Sequence, residues 1–390
     1  MPEGNMSTFT GLILVSGQDK PGITQHLMKV LSEFVVKIID IEQIVIRDRL
    51  LLTVLISLDQ GHAEAVVEDL NELQATLGLD IAIDFAYHNE KLQELDHLRV
   101  VIVGKEIKPS AIAIIATEIA KLGGNIEDIY RTSSAPVMAV ELVLSLQNDA
   151  IKKVQSALAK VAVENGIDLA VELGGSARNL KRLVLLDMDS TLIEQEVIDL
   201  LAEYSGKSQI ISDITAKAMS GELDFKQALS ARVELLAGLD ESVIDQVRQK
   251  VTLTKGAQQL ITELHNLGHK VGVVSGGFID VIEPILKDLE IDFYKANKLD
   301  IRDGKLTGNV VGKVIDGSEK LAVLREFASK EGINIQQTVA IGDGANDLEM
   351  IQAAGLGIAF NAKPKVAQSA DTTLNIKDLS AVLLLMGINS

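Results

Sequence analysis

Apolar positions follow two rhythms along the first part of the chain. Continuous apolar runs, Leu12 to Val15 and Val100 to Val103, each lead through a loop containing Gly or Pro into stretches with apolar residues three and four apart, PGITQHLMKVLSEF and PSAIAIIATEIAKLGG. The runs fit strands and the stretches fit amphipathic helices. Two β-rich segments, a second helix and a final strand follow in each case. The order βαββαβ places both helices on one face of an antiparallel, ferredoxin-like sheet. The region is a duplication, because Pro21 aligns with Pro109, Asp40 with Asp128, Ser57 with Ser145 and Asp80 with Asp168 at one constant offset. LLTVLISLD likewise resembles AVELVLSLQ. The copies span residues 6–90 and 96–174, joined by the polar stretch His88 to His97 and followed by Gly174 to Asn179. Neither copy contains a cluster of acids, bases or metal ligands.

From residue 180 to 390 the pattern is α/β. Three apolar runs, in LVLLDMDST, HKVGVVSGGF and TVAIGDGAND, each stop at polar residues and then give way to helix-period sequence. That is the signature of a doubly wound parallel sheet, Rossmann-like, whose strand ends open into a crevice. Asp187 and Asp189 fall two residues apart, so persisting strand geometry would turn both carboxylates to one side. A lone pair of this kind is also compatible with a turn. Ser275, Gly276 and Gly277 leave backbone N–H groups unshielded for an anion, although a serine N-cap with glycines for a tight turn accounts for the same residues. Asp343 ends the third run, Asn346 and Asp347 start a helix, and Lys320 opens another. Residues from about 196 to 255 are mostly helix-period with Gly breaks, which suits a small helical cap inserted after the first strand.

Composition narrows the chemistry. The 390 residues allow two or three domains, and 37 basic against 55 acidic side chains give a net charge of −18. A field of that sign repels phosphate backbones, so no nucleic-acid partner is expected. With no cysteine, disulfides, thiolate zinc sites and cysteine nucleophiles are all excluded, and a reducing cytoplasm is compatible. The start MPEGN lacks a targeting pattern, and the tract Leu379 to Ile388 is too short to span a bilayer. A cytoplasmic protein without a membrane partner is the expectation. GNVVGKV departs from a phosphate-binding Walker loop, and GLG at Gly355 lacks the third glycine of a dinucleotide fingerprint. Gly268 separates His265 from His269, which argues against a histidine metal pair, and Ser275 lacks the elbow of a serine hydrolase.

Two resemblances add to this reading. The loop GQDKPGI, Gly17 to Ile23, resembles the ligand loop of the ACT domain, a module that usually senses amino acids; Asp19, Pro21 and Gly22 are its candidate regulatory residues. The second copy, GKEIKPSA, has one insertion and lacks the Pro-Gly step. The ordered set DxDST, SGG, Lys and GDGxND resembles the motifs of the haloacid-dehalogenase-like phosphotransferases, and DMDSTLIEQE with the segment Met219 to Leu236 resembles their phosphoserine phosphatase branch. Paired ACT-like modules ahead of the catalytic domain match longer bacterial forms of that branch. What this implies is a Mg²⁺ enzyme hydrolysing O-phospho-L-serine in the last step of serine biosynthesis, with serine as a regulatory ligand and a homodimer as the assembly. The resemblance assigns Asp187 as nucleophile, Asp189 as acid and base, and Asp187, Asp343 and the Asp189 backbone carbonyl to the metal. It assigns Ser275, Gly276 and Lys320 to the phosphoryl oxygens, with Asn346 near the phosphate and Asp347 orienting Asp343 or Lys320. Glu196 would take the substrate ammonium and Arg232 its carboxylate, with Met219 and Phe225 as an apolar seal.

Charge supports a cation. Like-charged carboxylates about 4 Å apart repel by roughly 4 kcal/mol at an effective dielectric near 20, and a dianionic phosphate adds to that. A divalent ion bound through oxygen ligands reverses the balance. Two alternatives remain at this point: a related enzyme for another small phosphate ester, and an amino-acid-sensing protein with an inactive phosphatase domain. Retention of both Asp187 and Asp189 argues against the second.

Overall fold

The computed structural model describes residues 8–88, 95–147, 151–174, 180, 182–220 and 223–388, which fall into two compact units divided after Gln93. In the first unit, strands β1 (Thr8–Gln18), β2 (Lys37–Ile46), β3 (Arg49–Ser57) and β4 (Asp80–His88) form an antiparallel sheet in the order β2-β3-β1-β4. Alternation along β1 and β3 sends Ile13, Val15, Leu50, Leu52, Val54 and Ile56 inward. They pack with Leu27 and Leu31 of helix Ile23–Leu31 and with Val66 and Leu70 of helix Ala63–Leu77. Gly22 precedes the first helix at φ 95°, a conformation glycine adopts without steric cost.

The second unit begins with the other copy of the module. Its strands β5 (Leu95–Gly104), β6 (Asn125–Ser133), β7 (Met138–Gln147) and β8 (Asp168–Leu173) form a sheet in the corresponding order, β6-β7-β5-β8. Leu98, Val100 and Ile102 face helices Pro109–Lys121 and Ile151–Asn165. Val101, Val103, Ala139 and Ala170 point the other way, and they are buried in one cluster with Leu383 and Leu384 of the C-terminal helix Ala381–Leu385. The apolar tract near the C-terminus is therefore core. Asp168 accepts hydrogen bonds from the Asn375 backbone N–H at 2.9 Å and from Asn375 Nδ2 at 2.7 Å, and the Arg182 guanidinium meets Glu172 at 2.7 Å.

The remainder is a seven-stranded sheet of β9 (Leu183–Leu186), β10 (Lys270–Phe278), β11 (Phe293–Arg302), β12 (Lys305–Val311), β13 (Thr338–Gly342), β14 (Leu356–Phe360) and β15 (Thr372–Leu374). Its order is β12-β11-β10-β9-β13-β14-β15, parallel except for β12. Asp303 and Gly304, both at positive φ, turn the β11–β12 hairpin. All four residues of β9 are buried, as befits a central strand covered on both faces. Its neighbours are β10 and β13, so the three strands that end in motif residues lie side by side. Between β9 and β10 the chain forms helices Val197–Ser205, Ser208–Ser220, Phe225–Glu234 and Val243–Arg248, which occupy the segment expected as a helical cap, and then helix Ala257–Asn266.

Candidate active site

The backbone of β9 ends its ladder at Asp187, whose N–H donates to the Ile341 carbonyl of β13 at 2.8 Å. Strand geometry stops there. Asp189 and Ser190 lie in a tight turn, with Ser190 at φ 56°, so two-residue alternation does not account for the placement of Asp189. The turn accounts for it, and the Asp189 carboxylate comes over Gly277, where a Cβ would stand 2.7 Å from Asp189 Oδ2. Lys320 sits in the first turn of helix Gly317–Lys330, wholly buried. Its Nζ lies 2.7 Å from Asp187 Oδ1 and 2.6 Å from Asp347 Oδ1. Asp347 Oδ2 accepts the Gly344 N–H at 3.0 Å, so both of its oxygens are engaged. On β10, Ser275 is fully buried and its Oγ accepts the Gly277 N–H at 2.8 Å. Asn346 stands beside Gly276, with its Nδ2 3.8 Å from where a Cβ on that glycine would lie.

This grouping concentrates negative charge out of water. Carboxylate oxygens of Asp187, Asp343 and Asp347 lie within 4.8 Å of one another. Burial and then Asp347 push the Asp187 carboxyl well above its usual range. Burial, and then Glu196, do the same to Asp189, which favours its protonated form. Asp343 rises to about 7, through burial first and Asp347 second. Burial lowers the Lys320 pKa, but Asp187 and Asp347 more than offset this, and the ammonium is held above its ordinary value. One buried cation faces several acids. The set is all oxygen, clustered and underneutralised, which is the donor chemistry that a small hard dication satisfies.

Residues 184–352 match the haloacid dehalogenase-like hydrolase family, and residues 10–84 and 97–172 each match an ACT domain. The phosphoserine phosphatase of Streptomyces coelicolor is 44% identical over 97% of this chain and 92% of its own. That of Mycobacterium tuberculosis is 44% identical over 97% of this chain and 93% of its own. The chain belongs to the phosphoserine phosphatase family. Among solved structures, a phospho-aspartyl intermediate analogue of phosphoserine phosphatase matches at 44% identity and a TM-score of 0.51, covering 52% of this chain and 98% of that one. The chain is accordingly a phosphoserine phosphatase with a catalytic domain of that fold behind two ACT domains.

In this phosphatase the cap supplies the remaining candidates. Glu196 is exposed at the start of helix Val197–Ser205, and one of its oxygens, Oε1, accepts the Ser190 hydroxyl at 2.8 Å. Arg232 is half-buried on helix Phe225–Glu234, where its Nε donates to Ala228 O at 3.3 Å and NH1 to Thr215 Oγ1 at 3.4 Å. Burial lowers its pKa, and Glu196, Asp199 and Asp189 act against that. The Phe225 ring lies over Gly276, 2.9 Å from where a Cβ would be, so a side chain there would collide with the cap. The Met219 side chain lies outside the described residues. In the first unit, residues Asp19 to Gln25 with Gln43 and Leu50 line a cavity of about 410 Å³, and Thr24 Oγ1 donates to Gln43 Oε1 across it at 2.8 Å.

Sequence reasoning missed two residues at the catalytic end. Ser190, inside the DxDST motif, tethers Glu196. Asn297, in the middle of β11, is 2% exposed and contacts the Ser275–Gly277 loop. A polar residue inside a β-type run was the one available signal for Asn297. His265 meets Asp292 at 3.0 Å, and His269 accepts the Arg182 N–H at 3.1 Å.

Proposed function

We propose that the chain hydrolyses O-phospho-L-serine to L-serine and phosphate with Mg²⁺ through an aspartyl-phosphate on Asp187. The observation that carries this reading is the buried Lys320 ammonium held between Asp187, at the tip of β9, and Asp347, in the helical turn that follows the neighbouring strand β13. Asp187, Asp343 and the Asp189 backbone carbonyl would hold Mg²⁺, which supplies charge neutralisation for a dianionic ester among carboxylates. An Asp187 oxygen forms the new bond to phosphorus as the bond to the serine oxygen breaks. Asp189, protonated on arrival, gives its proton to the departing oxygen. It then takes a proton from the water that attacks phosphorus and frees Asp187. Ser275, the Gly276 amide and Lys320 hold the phosphoryl oxygens as charge shifts, Asn346 lies beside them, and Asp347 keeps Lys320 in place. Glu196 receives the substrate ammonium and Arg232 its carboxylate, which a guanidinium can grip through two parallel hydrogen bonds. Phe225 and Met219 close the pocket against water.

The experiment is hydrolysis of phosphoserine in excess strong chelator. Turnover should fall to background and return on back-addition of Mg²⁺; undiminished turnover in chelator refutes the metal role. A screen of phosphate esters bears on the substrate, and equal turnover of sugar phosphates overturns the serine assignment.

The same proposal makes the first ACT domain a serine sensor through its Asp19–Gly22 loop, supported by the cavity that the loop lines. It also makes the protein a homodimer. Every residue of edge strand β2 is exposed, including Ile38, Ile39, Ile41, Ile44 and Ile46, and an open edge of this kind favours pairing with another chain. Light scattering at a monomer mass would contradict it. Among the described residues no helix is long and apolar enough to cross a membrane. A cytoplasmic location belongs to this proposal, and localisation of a tagged chain tests it.

A further inference from the structure

On the reading that Ser275, Gly276 and Lys320 hold the phosphoryl group, we infer that Asn297 is a positioning residue that fixes both halves of that anion site relative to each other. The β10–β11 ladder pairs Ser275 with Ala296 and then Phe278 with Asn297, so Gly276 and Gly277 bulge out opposite a single step on β11. A bulge of that kind forfeits ladder hydrogen bonds. Asn297 replaces one from its side chain, since Nδ2 donates to the Gly276 carbonyl at 2.8 Å. Its Oδ1 accepts the Ile315 N–H, also at 2.8 Å. Ile315 adjoins Asp316, whose carboxylate accepts the Glu319 N–H and caps the helix carrying Lys320. One buried amide therefore links the loop that presents the Gly276 peptide with the segment that launches Lys320. A carboxamide offers a donor and an acceptor from one planar group, whereas alanine offers neither and serine has a single, shorter hydroxyl. The hydrogen bonds of the Asn297 side chain go to the Gly276 carbonyl and the Ile315 N–H, so it acts through the groups that those segments carry.

The test uses the full-length enzyme with Mg²⁺ and compares Asn297→Ala, Asn297→Ser and, as a reference, Ser275→Ala. The readouts are kcat and KM for phosphoserine, inhibition by orthovanadate as a five-coordinate mimic of the transferring group, and the melting temperature. Displacement of the loop should lower kcat roughly 10- to 100-fold in both Asn297 variants, by more than KM rises, with vanadate inhibition weakened to match. Vanadate inhibition as tight as in the wild type, or kcat within about threefold of it, overturns the inference. Loss of soluble protein in both variants also counts against it, because the amide would then serve folding alone. Ser275→Ala separates the two failures. If that variant keeps full activity and vanadate binding, the underlying reading of the anion site is wrong; if it is impaired while the Asn297 variants are not, only the role of Asn297 falls.

Discussion

At the scale of single residues, the site is governed by carboxylates taken out of water. Asp343 titrates at about 7 rather than at its ordinary 3.8 because it is buried beside Asp347. Between those values the folded chain keeps a proton that the unfolded chain has released, so without metal this group makes stability fall as pH rises from about 4 to 7. A bound dication removes that penalty. The melting temperature gained on adding Mg²⁺ should therefore be small near pH 4 and grow toward pH 7; a gain independent of pH contradicts the assignment. Arg232 allows a sharper contrast. Arg232→Lys keeps the charge but loses the paired hydrogen bonds, and KM for phosphoserine should rise roughly 10- to 100-fold with kcat less affected. Steady-state kinetics check it, and an unchanged KM would free Arg232 from the substrate. The acids that follow β9 and β13, the glycines near the end of β10 and the one buried lysine were legible in the sequence as candidates, and the structure brings the acids and the lysine together. Asn297 and Ser190 were not, because their roles come from hydrogen bonds to residues far along the chain or across a turn, which no spacing encodes.

At the scale of elements, the continuous apolar runs marked β9, β10 and β13 correctly, and buried parallel strands leave little else that such runs can be. The sequence could not say that these three are neighbours, since adjacency is set by how the helices wind over the sheet. Nor could it give the turn at Asp189 and Ser190, where the strand rule predicts the wrong local geometry. The join between the second ACT domain and the catalytic sheet was equally hidden. Asp168 on β8 receives both hydrogen bonds from Asn375, the residue after β15, where it is 6% exposed. Asp168→Ala leaves two donors without their acceptor and should destabilise the second unit by roughly 1–3 kcal/mol. Urea unfolding of the full chain would show it as an earlier midpoint. A midpoint equal to that of the wild type would mean that the seam holds through its apolar contacts alone.

For the whole molecule, duplication has produced modules with different surroundings. One face of the second module is buried with the C-terminal helix through Val101, Val103, Ala139 and Ala170. The first module forms a compact unit by itself and has the Pro-Gly loop with its cavity. The proposal thus predicts that serine acts through the first module. Gly22→Val forces a branched side chain into the conformation at φ 95° and crowds the loop, so serine should inhibit the wild-type enzyme while the variant loses most of that response. Equal inhibition of both would place the serine effect elsewhere. The duplication and the domain order were readable from the sequence; the unequal burial of the copies was not, because it depends on which sheet face meets a later part of the chain.

The claim on which the mechanism rests is that Asp187 carries the phosphoryl group between the two displacements. Rapid-quench mixing of the enzyme with ³²P-labelled phosphoserine measures this directly. Label should appear on a peptide containing Asp187, be discharged by hydroxylamine, and be absent from the Asp187→Asn variant. Label on another residue, or substantial turnover by that variant, would contradict the account.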